Sequence, residues 1–421
     1  MRGTVFKADV RTSSIPWRPA SLVLLAVLAL MATRATSPPS VAAETGGATG
    51  VEAGPTLGNS PFDRQGMWVW YVDRSEGGDP AAILARARRN GIGTVYIKAG
   101  DGGGAWGQFT PTLVRALHRG GLDVCAWQFV YGDAPLAEAR VAIGAVKKGA
   151  DCFVIDAEGD YEGKYAAADL YVRTLRAAIG ETFPVSLVGF PYVDYHPAFP
   201  YSVFFGAGGA QYNQPQMYWK TIGTSVRGVY EHTYFFNRIW GHPIYPIGQT
   251  YEGPSDTSLR LFRRFAASYG GLPPSWWDWQ ETSNGEWGAL GATRAARPIS
   301  GYRLEVTHPL LKRGSEGDMV VWAQERLVGS GAELPINGVY GKLTVAATKA
   351  FQEAHGIAAD GRIGTTTWGA LLNFTPYRMQ WSASRARTAS GGAVVSRARP
   401  ARRPLSATLA PKVDEIRPGG P

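Results

Sequence analysis

The sequence predicts an α/β architecture: a (β/α)₈, TIM-like barrel followed by a small three-helix unit. Three observations carry this. Between residues 64 and 293, eight short apolar runs alternate with helix-like segments, the count and length of a (β/α)₈ barrel. Near the C-terminus, two Asx-Gly turns repeat at an offset of 23 residues. The chain is 421 residues long, enough for more than one core. A doubly wound open sheet is the alternative for the first part. No G-x-G-x-x-G follows the first strand-like run, which argues against a dinucleotide-binding version of it.

Residues 1–43 read as a secretory signal peptide. Arg2, Lys7, Arg11 and Arg18 precede the apolar run Ser21 to Ala32, and Val41-Ala42-Ala43 supplies small residues for cleavage. The run is short for a membrane span, and an uncleaved anchor is the alternative. Residues 44–63 are rich in Gly, Ala and Thr and read as a linker.

The strand-like runs are Met67 to Val72, Ile92 to Lys98, Leu122 to Val130, Cys152 to Asp156, Pro184 to Phe190, Ser202 to Tyr212, Ile244 to Gln249 and Ser275 to Gln280. Asp79-Pro80 starts a helix with a capping side chain and a proline at its first position. Helical patterns also cover Thr110 to Arg119, Leu136 to Lys148, about Ala166 to Ile179, the stretch up to Tyr230, and Ser258 to Ser268. Both cysteines, Cys125 and Cys152, fall inside strand-like runs. That context favours buried thiols, with a disulfide between neighbouring strands as the alternative.

In such a barrel, ligands meet the C-terminal ends of the strands. The polar or aromatic residues there are Asp73, Lys98 with Asp101, Gln128, Asp156 with Glu158, Phe190, Gln211 with Tyr212, Gln249, and Asp278 with Gln280. Strand side chains alternate, so Asp156 and Glu158 face one side. Two close carboxylates in a partly dry site do not ionise together easily. One keeps a proton and can act as an acid, and the other stays charged. Glycosidic cleavage needs that division of labour. A pair on one strand suits substrate-assisted chemistry, with Glu158 as the acid and Asp156 orienting an N-acetyl group. The competing reading is a solvated strand end, as Asp160 and Glu162 nearby suggest.

The chain has 14 Trp, a high count that suits a core or a platform for flat ligands. Near the strand ends Trp127, Tyr192 and Tyr212 can stack on sugar faces, with Lys98, Asp278 and Gln280 as polar partners. His196, His232 and His242 show no metal-ligand spacing, so neither metal nor cofactor is expected.

The segment from about Gly66 to Gln280 resembles the family 25 glycoside hydrolases, which are barrel muramidases. The resemblance rests on Asp156-Ala157-Glu158 at the fourth strand end, Trp279-Gln280 at the last, and Ile97-Lys98-Ala99 at the second. It implies Glu158 as acid and Asp156 as the residue assisting the N-acetyl group. Two departures stand against it. Trp68 occupies the place of the family's first-strand aspartate, and Gln211-Tyr212 stands where a sixth-strand aspartate is usual. A non-catalytic wall-binding barrel and a glycosidase for another polysaccharide are the alternatives.

The C-terminal unit spans residues 308–374, after a linker at 294–307. Asn337-Gly-Val-Tyr-Gly341 aligns with Asp360-Gly-Arg-Ile-Gly364, each followed by a threonine, Thr344 or Thr367, placed to cap a helix. Trp322, Phe351 and Trp368 are candidates for its core. With Leu311, Gly314, Gly317, Val320, Gln324 and Leu327, this pattern resembles the common bacterial peptidoglycan-binding domain. Tyr340 and Arg362, near the two turns, are its candidate contact residues.

The net charge is +9, and residues 375–421 hold nine Lys and Arg against two acids. That stretch reads as a basic disordered tail able to touch anionic wall polymers. No nucleic-acid signature is present. The expected protein is a secreted, cell-wall-associated monomer whose partner is peptidoglycan.

Overall fold

A computed structural model describes residues 60–291 and 296–382. The leader, most of the first linker and the chain beyond residue 382 lie outside the described residues. The barrel strands are β1 (Gly66–Val69), β2 (Thr94–Asp101), β4 (Asp123–Val130), β5 (Cys152–Ala157), β6 (Val185–Gly189), β7 (Tyr212–Pro215), β8 (Ile247–Gln249) and β9 (Ser275–Trp277). A two-residue β3 (Gly104–Ala105) folds back antiparallel on β2. The other eight run parallel in the order β7-β6-β5-β4-β2-β1-β9-β8. Two parallel bridges, Asn213 with Ile244 and Gln216 with Ile247, join the ends, so the barrel is nearly closed.

Helices α1 (Pro80–Arg89), α2 (Pro111–Arg119), α3 (Pro135–Lys147), α4 (Tyr165–Ile179), α5 (Tyr201–Phe204), α6 (Trp219–Ile222), α7 (Val226–Asn237), α8 (Asp256–Ser268) and α9 (Asn284–Leu290) fill the connections. Their starts follow local chemistry. Asp79 accepts from Ala81 N, Thr110 from Leu113 N and Ser255 from Ser258 N, each satisfying an N-terminal amide. The sixth strand begins at Tyr212 rather than within the ten residues before it. Those residues hold α5 and a glycine turn, in which Ala210 N donates to Phe204 O and a Cβ on Gly209 would sit 2.1 Å from the same oxygen.

Alternation along each strand sorts residues into two cores. Trp68, Tyr96, Cys125, Trp127, Cys152, Val154 and Val188 face the lumen, with Phe62 closing its lower end. Met67, Val95, Ile97, Ala126, Phe153, Ile155 and Leu187 face the helices. Cys125 and Cys152 are directly paired across β4 and β5 and form a disulfide, with Cα atoms 4.6 Å apart. The expectation of free thiols is therefore corrected. Both side chains face the lumen from opposed positions on neighbouring strands, within bonding reach.

The C-terminal unit is α10 (Asp318–Gly329), α11 (Lys342–Ala354) and α12 (Thr365–Leu371). Its two turns are Asx turns: Asn337 Oδ1 accepts from Val339 N and Asp360 Oδ1 from Arg362 N, with Gly338 and Gly361 both at φ 72°. Thr344 and Thr367 do not cap. They lie inside α11 and α12, and their hydroxyls receive the side-chain amides of Gln324 and Gln352, which lock the turns onto the helices.

Two further expectations change. Trp322 leaves its own unit and donates its indole N–H to Ile239 O on the barrel. The tail starts ordered: Tyr377 N donates to Glu325 O, and Trp381 is buried with its ring 4.5 Å from Tyr165 on α4. Residues Val320 to Leu327 of α10 are all buried, one face inside the small unit and the other against the barrel.

Candidate active site

A cavity of about 300 Å³ opens at the C-terminal ends of the barrel strands. Asp156 and Glu158 both reach it, as strand alternation requires, while Ala157 between them packs outward among the helices. Gln216, just beyond β7, ties the two together: its Nε2 lies 3.0 Å from Glu158 Oε1 and 3.4 Å from Asp156 Oδ1. Asp156 is 5% exposed. Burial raises its carboxyl well above the ordinary range, the Glu158 charge pushes the same way, Lys98 pulls it down and Asp101 adds a smaller push up.

Lys98 stands opposite, 4% exposed, inside a cage of indoles. Its Nζ lies 4.4 Å from the Trp106 ring centre, 4.9 Å from Trp127 and 5.1 Å from Trp70. The same nitrogen is 2.7 Å from Asp101 Oδ2, and Tyr131 OH donates to Asp101 Oδ1 at 2.8 Å. Lys98 thus pairs with Asp101 and acts on Asp156 only through space. Behind it, buried Glu138 accepts from the Tyr131 and Gly132 amides and from Tyr161 OH, fixing the loop that carries Tyr131.

The sequence-derived residues divide. Asp156, Glu158, Lys98 and Trp127 meet in the cavity. Asp278 and Gln280 lie behind its wall. Gln280 Nε2 donates to Asp278 Oδ2, while its Oε1 accepts from Trp70 N, which positions an indole of the cage. Burial and the Glu281 charge push Asp278 up to about 7. Tyr212 does not reach the mouth, because it starts β7 and packs on Phe62 at the lower end, 4.6 Å between ring centres. Tyr192 lies on the loop after β6, stacked on His232 at 3.8 Å, outside the cavity lining.

Other strand-end candidates serve the frame. Gln128 points out to the Gly102 and Glu138 carbonyls, Gln211 receives Val185 N, and Gln249 receives Lys220 N. Asp73 is exposed and outside the cavity lining, so it brings no further carboxylate to the site. Trp68 fills the lumen, stacked on Tyr96 at 4.7 Å with its N–H on Ser275 Oγ. In the C-terminal unit Tyr340 is fully buried, its hydroxyl spent on Thr348 and Gly361 O, so its role is packing. Arg362 remains beside its turn at the surface.

Sequence reasoning missed Gln216, Trp106, Tyr131, Tyr251 and Glu281, all of which line the cavity. For Gln216 a signal existed. Tyr212, Gln214 and Gln216 alternate at period two once the strand is started at Tyr212.

Residues 316–371 match the model of the family described as "Putative peptidoglycan binding domain" (PG_binding_1). The chain is 42% identical over 64 residues to the zinc D-Ala-D-Ala carboxypeptidase of Streptomyces albus G, covering 14% of this chain and 25% of that protein. It is 43% identical over 68 residues to the N-acetylmuramoyl-L-alanine amidase CwlL of Bacillus licheniformis, covering 15% and 19%. It thus spans a quarter or less of the length of these two relatives. A third relative, an uncharacterized protein from the bpoA1 3' region of Kitasatospora aureofaciens, is 33% identical over 85 residues, 20% of this chain and 70% of that protein. Among solved structures, the endo-β-1,4-mannanase of Thermotoga petrophila is similar at 10% identity and a TM-score of 0.43, covering 61% of this chain and 82% of that one.

Proposed function

Residues 316–371 match the peptidoglycan-binding domain family, and from that premise we propose that the chain is an exported cell-wall glycoside hydrolase. The barrel cuts the peptidoglycan glycan strand as a muramidase does, and the C-terminal domain holds the chain to the wall. Tethering raises the local concentration of a polymeric substrate. One observation carries the reading: Asp156 and Glu158 meet at a single amide, Gln216, inside a tryptophan-walled cavity.

The chemistry follows from that pair. Glu158 gives its proton to the glycosidic oxygen as the bond from that oxygen to the anomeric carbon breaks. The substrate's own N-acetyl oxygen attacks the same carbon. Asp156, in the ionised form that Lys98 favours against burial and the Glu158 charge, accepts the acetamido N–H and balances the positive charge of the resulting ring. Water then attacks the anomeric carbon, Glu158 takes back a proton, and the N-acetyl group is restored. Gln216 holds the two carboxyls in register, and Lys98 limits how far Asp156 rises.

This sequence retains configuration at the anomeric carbon and requires the N-acetyl group. The test is NMR of the first product formed from peptidoglycan glycan strands, beside strands with the N-acetyl groups chemically removed. Retention and resistance of the deacetylated strands are expected. Inversion, or equal cleavage of both substrates, overturns the mechanism.

A second reading, a wall-binding protein with a degenerate barrel, is favoured by Trp68. An indole fills the lumen at the place of the first-strand carboxylate, and Asp73 brings no further carboxylate to the site. No cleavage of any glycan, with binding intact, is its signature.

A further inference from the structure

The loop after β6 carries an aromatic ledge that the cavity does not use. Tyr195 is 60% exposed, yet its ring is held on three sides. Tyr192 meets it edge-on at 5.4 Å, His232 of α7 edge-on at 5.7 Å, and Phe190 lies at 6.1 Å. The supports are themselves fixed. His232 Nε2 is 2.7 Å from Asp194 Oδ1, and His196, edge-on to Phe190, has its Nδ1 2.6 Å from Glu162 Oε1. Ordering a surface side chain costs conformational entropy, and this ring adds little to any core. An exposed ring braced by its neighbours, with the Asp194 carboxylate next to it in the chain, is the form a sugar-stacking site takes: an apolar face for C–H groups and an acceptor for hydroxyls.

Its position names the ligand. The loop begins at the end of β6, the strand between β5 and β7, whose ends bear Glu158 and Gln216. It ends at the docked C-terminal domain, where Pro197 O accepts from Asp318 N and Ser202 donates to the Asp318 carboxylate. Buried Tyr201 lies between, and the charges of Asp318, Glu162, Asp194 and Glu158 all act on its hydroxyl in the same sense. One loop therefore runs from the carboxylate pair to the peptidoglycan-binding domain.

We propose that the Tyr195 ledge is a glycan-binding subsite that holds the peptidoglycan strand between the cavity and the C-terminal domain. One sugar ring stacks on Tyr195, and its hydroxyls meet Asp194. The proposal rests on the reading of the barrel as a glycan-processing domain.

The test uses the full chain carrying Glu158→Gln, so that ligand is not consumed, titrated calorimetrically with peptide-free glycan strands and with a single disaccharide. Adding Tyr195→Ala is expected to weaken binding of long strands about tenfold, the size of one interface aromatic, and to leave the disaccharide unchanged. Tyr195→Phe, which keeps the ring, is expected to bind within about twofold of the parent. Long-strand binding unchanged by Tyr195→Ala overturns the ledge, and so does equal weakening for the disaccharide. Turnover by the unmutated chain is measured in parallel. Weakened long-strand binding without any turnover upholds the ledge and sinks the hydrolase reading. Turnover with unchanged binding does the reverse, and no glycan binding at any length overturns both.

Discussion

Asp318, the first residue of α10, accepts two hydrogen bonds from Ser202 on the barrel, one from the backbone N at 2.8 Å and one from Oγ at 2.6 Å. This clasp, the Trp322 indole on Ile239 O and the Trp381 ring on Tyr165 hold the C-terminal domain to the barrel. These contacts hold the two in one fixed geometry.

The clasp predicts a pH dependence. Burial pushes Asp318 up to about 7, and its hydrogen bonds from Ser202 offset part of that rise. An acid raised by folding contributes stability that is complete below its unfolded value, near 3.8, and is lost as pH rises through about 7. The span is worth on the order of 4 kcal/mol. Burial and the Asp318 charge raise Glu325 in the same direction. Thermal unfolding is therefore expected to occur at higher temperature at pH 5 than at pH 8. Asp318→Asn keeps partners for both Ser202 groups but cannot ionise, so it narrows that gap. An unchanged gap contradicts the assignment.

The disulfide closes a short loop, with 27 residues of sequence separation between Cys125 and Cys152. Restricting the unfolded chain over such a loop stabilises by about 3–4 kcal/mol in the loop-entropy account. Changing both cysteines to alanine is expected to lower the unfolding free energy by about that amount in denaturant titrations. Because Cys125 and Cys152 lie in the lumen below Trp127 and Asp156, the loss is expected to reach the cavity as well as the fold.

Among the described residues Lys98 is the cation acting on Asp156, lowering it against burial and two neighbouring carboxylates. Lys98→Met is expected to move Asp156 further up. The pH–rate profile should then shift to higher pH, and turnover should fall, because Asp101 loses its ion pair. A profile unmoved by the substitution contradicts a role for Asp156 in the rate.

Most of this architecture was legible because barrel strands are short apolar runs between capped helices. Asp79-Pro80, Thr110-Pro111 and the Asx-Gly repeat each announce their element through local chemistry. Asp156 and Glu158 were legible for the same reason, since alternation alone puts both in the lumen. The alternation that reaches Gln216 was masked, because the glycines at 206, 208 and 209 read as part of a strand when they turn the chain into it. The misassigned aromatics have two causes. Tyr212 lies at the wrong end of its strand, and Trp322 finds its partner only once the two domains are docked. No local pattern encodes a contact with a surface more than 80 residues away in sequence, such as Trp322 with Ile239.

The central claim is that the end of β5 cleaves peptidoglycan with Glu158 as the acid. The most direct measurement is mass spectrometry of soluble products after incubating purified peptidoglycan with the parent chain and with Glu158→Gln. The account predicts muropeptides ending in reducing N-acetylmuramic acid from the parent and none from the variant. Identical products from both, or no products from either while both co-sediment with the wall, would contradict it.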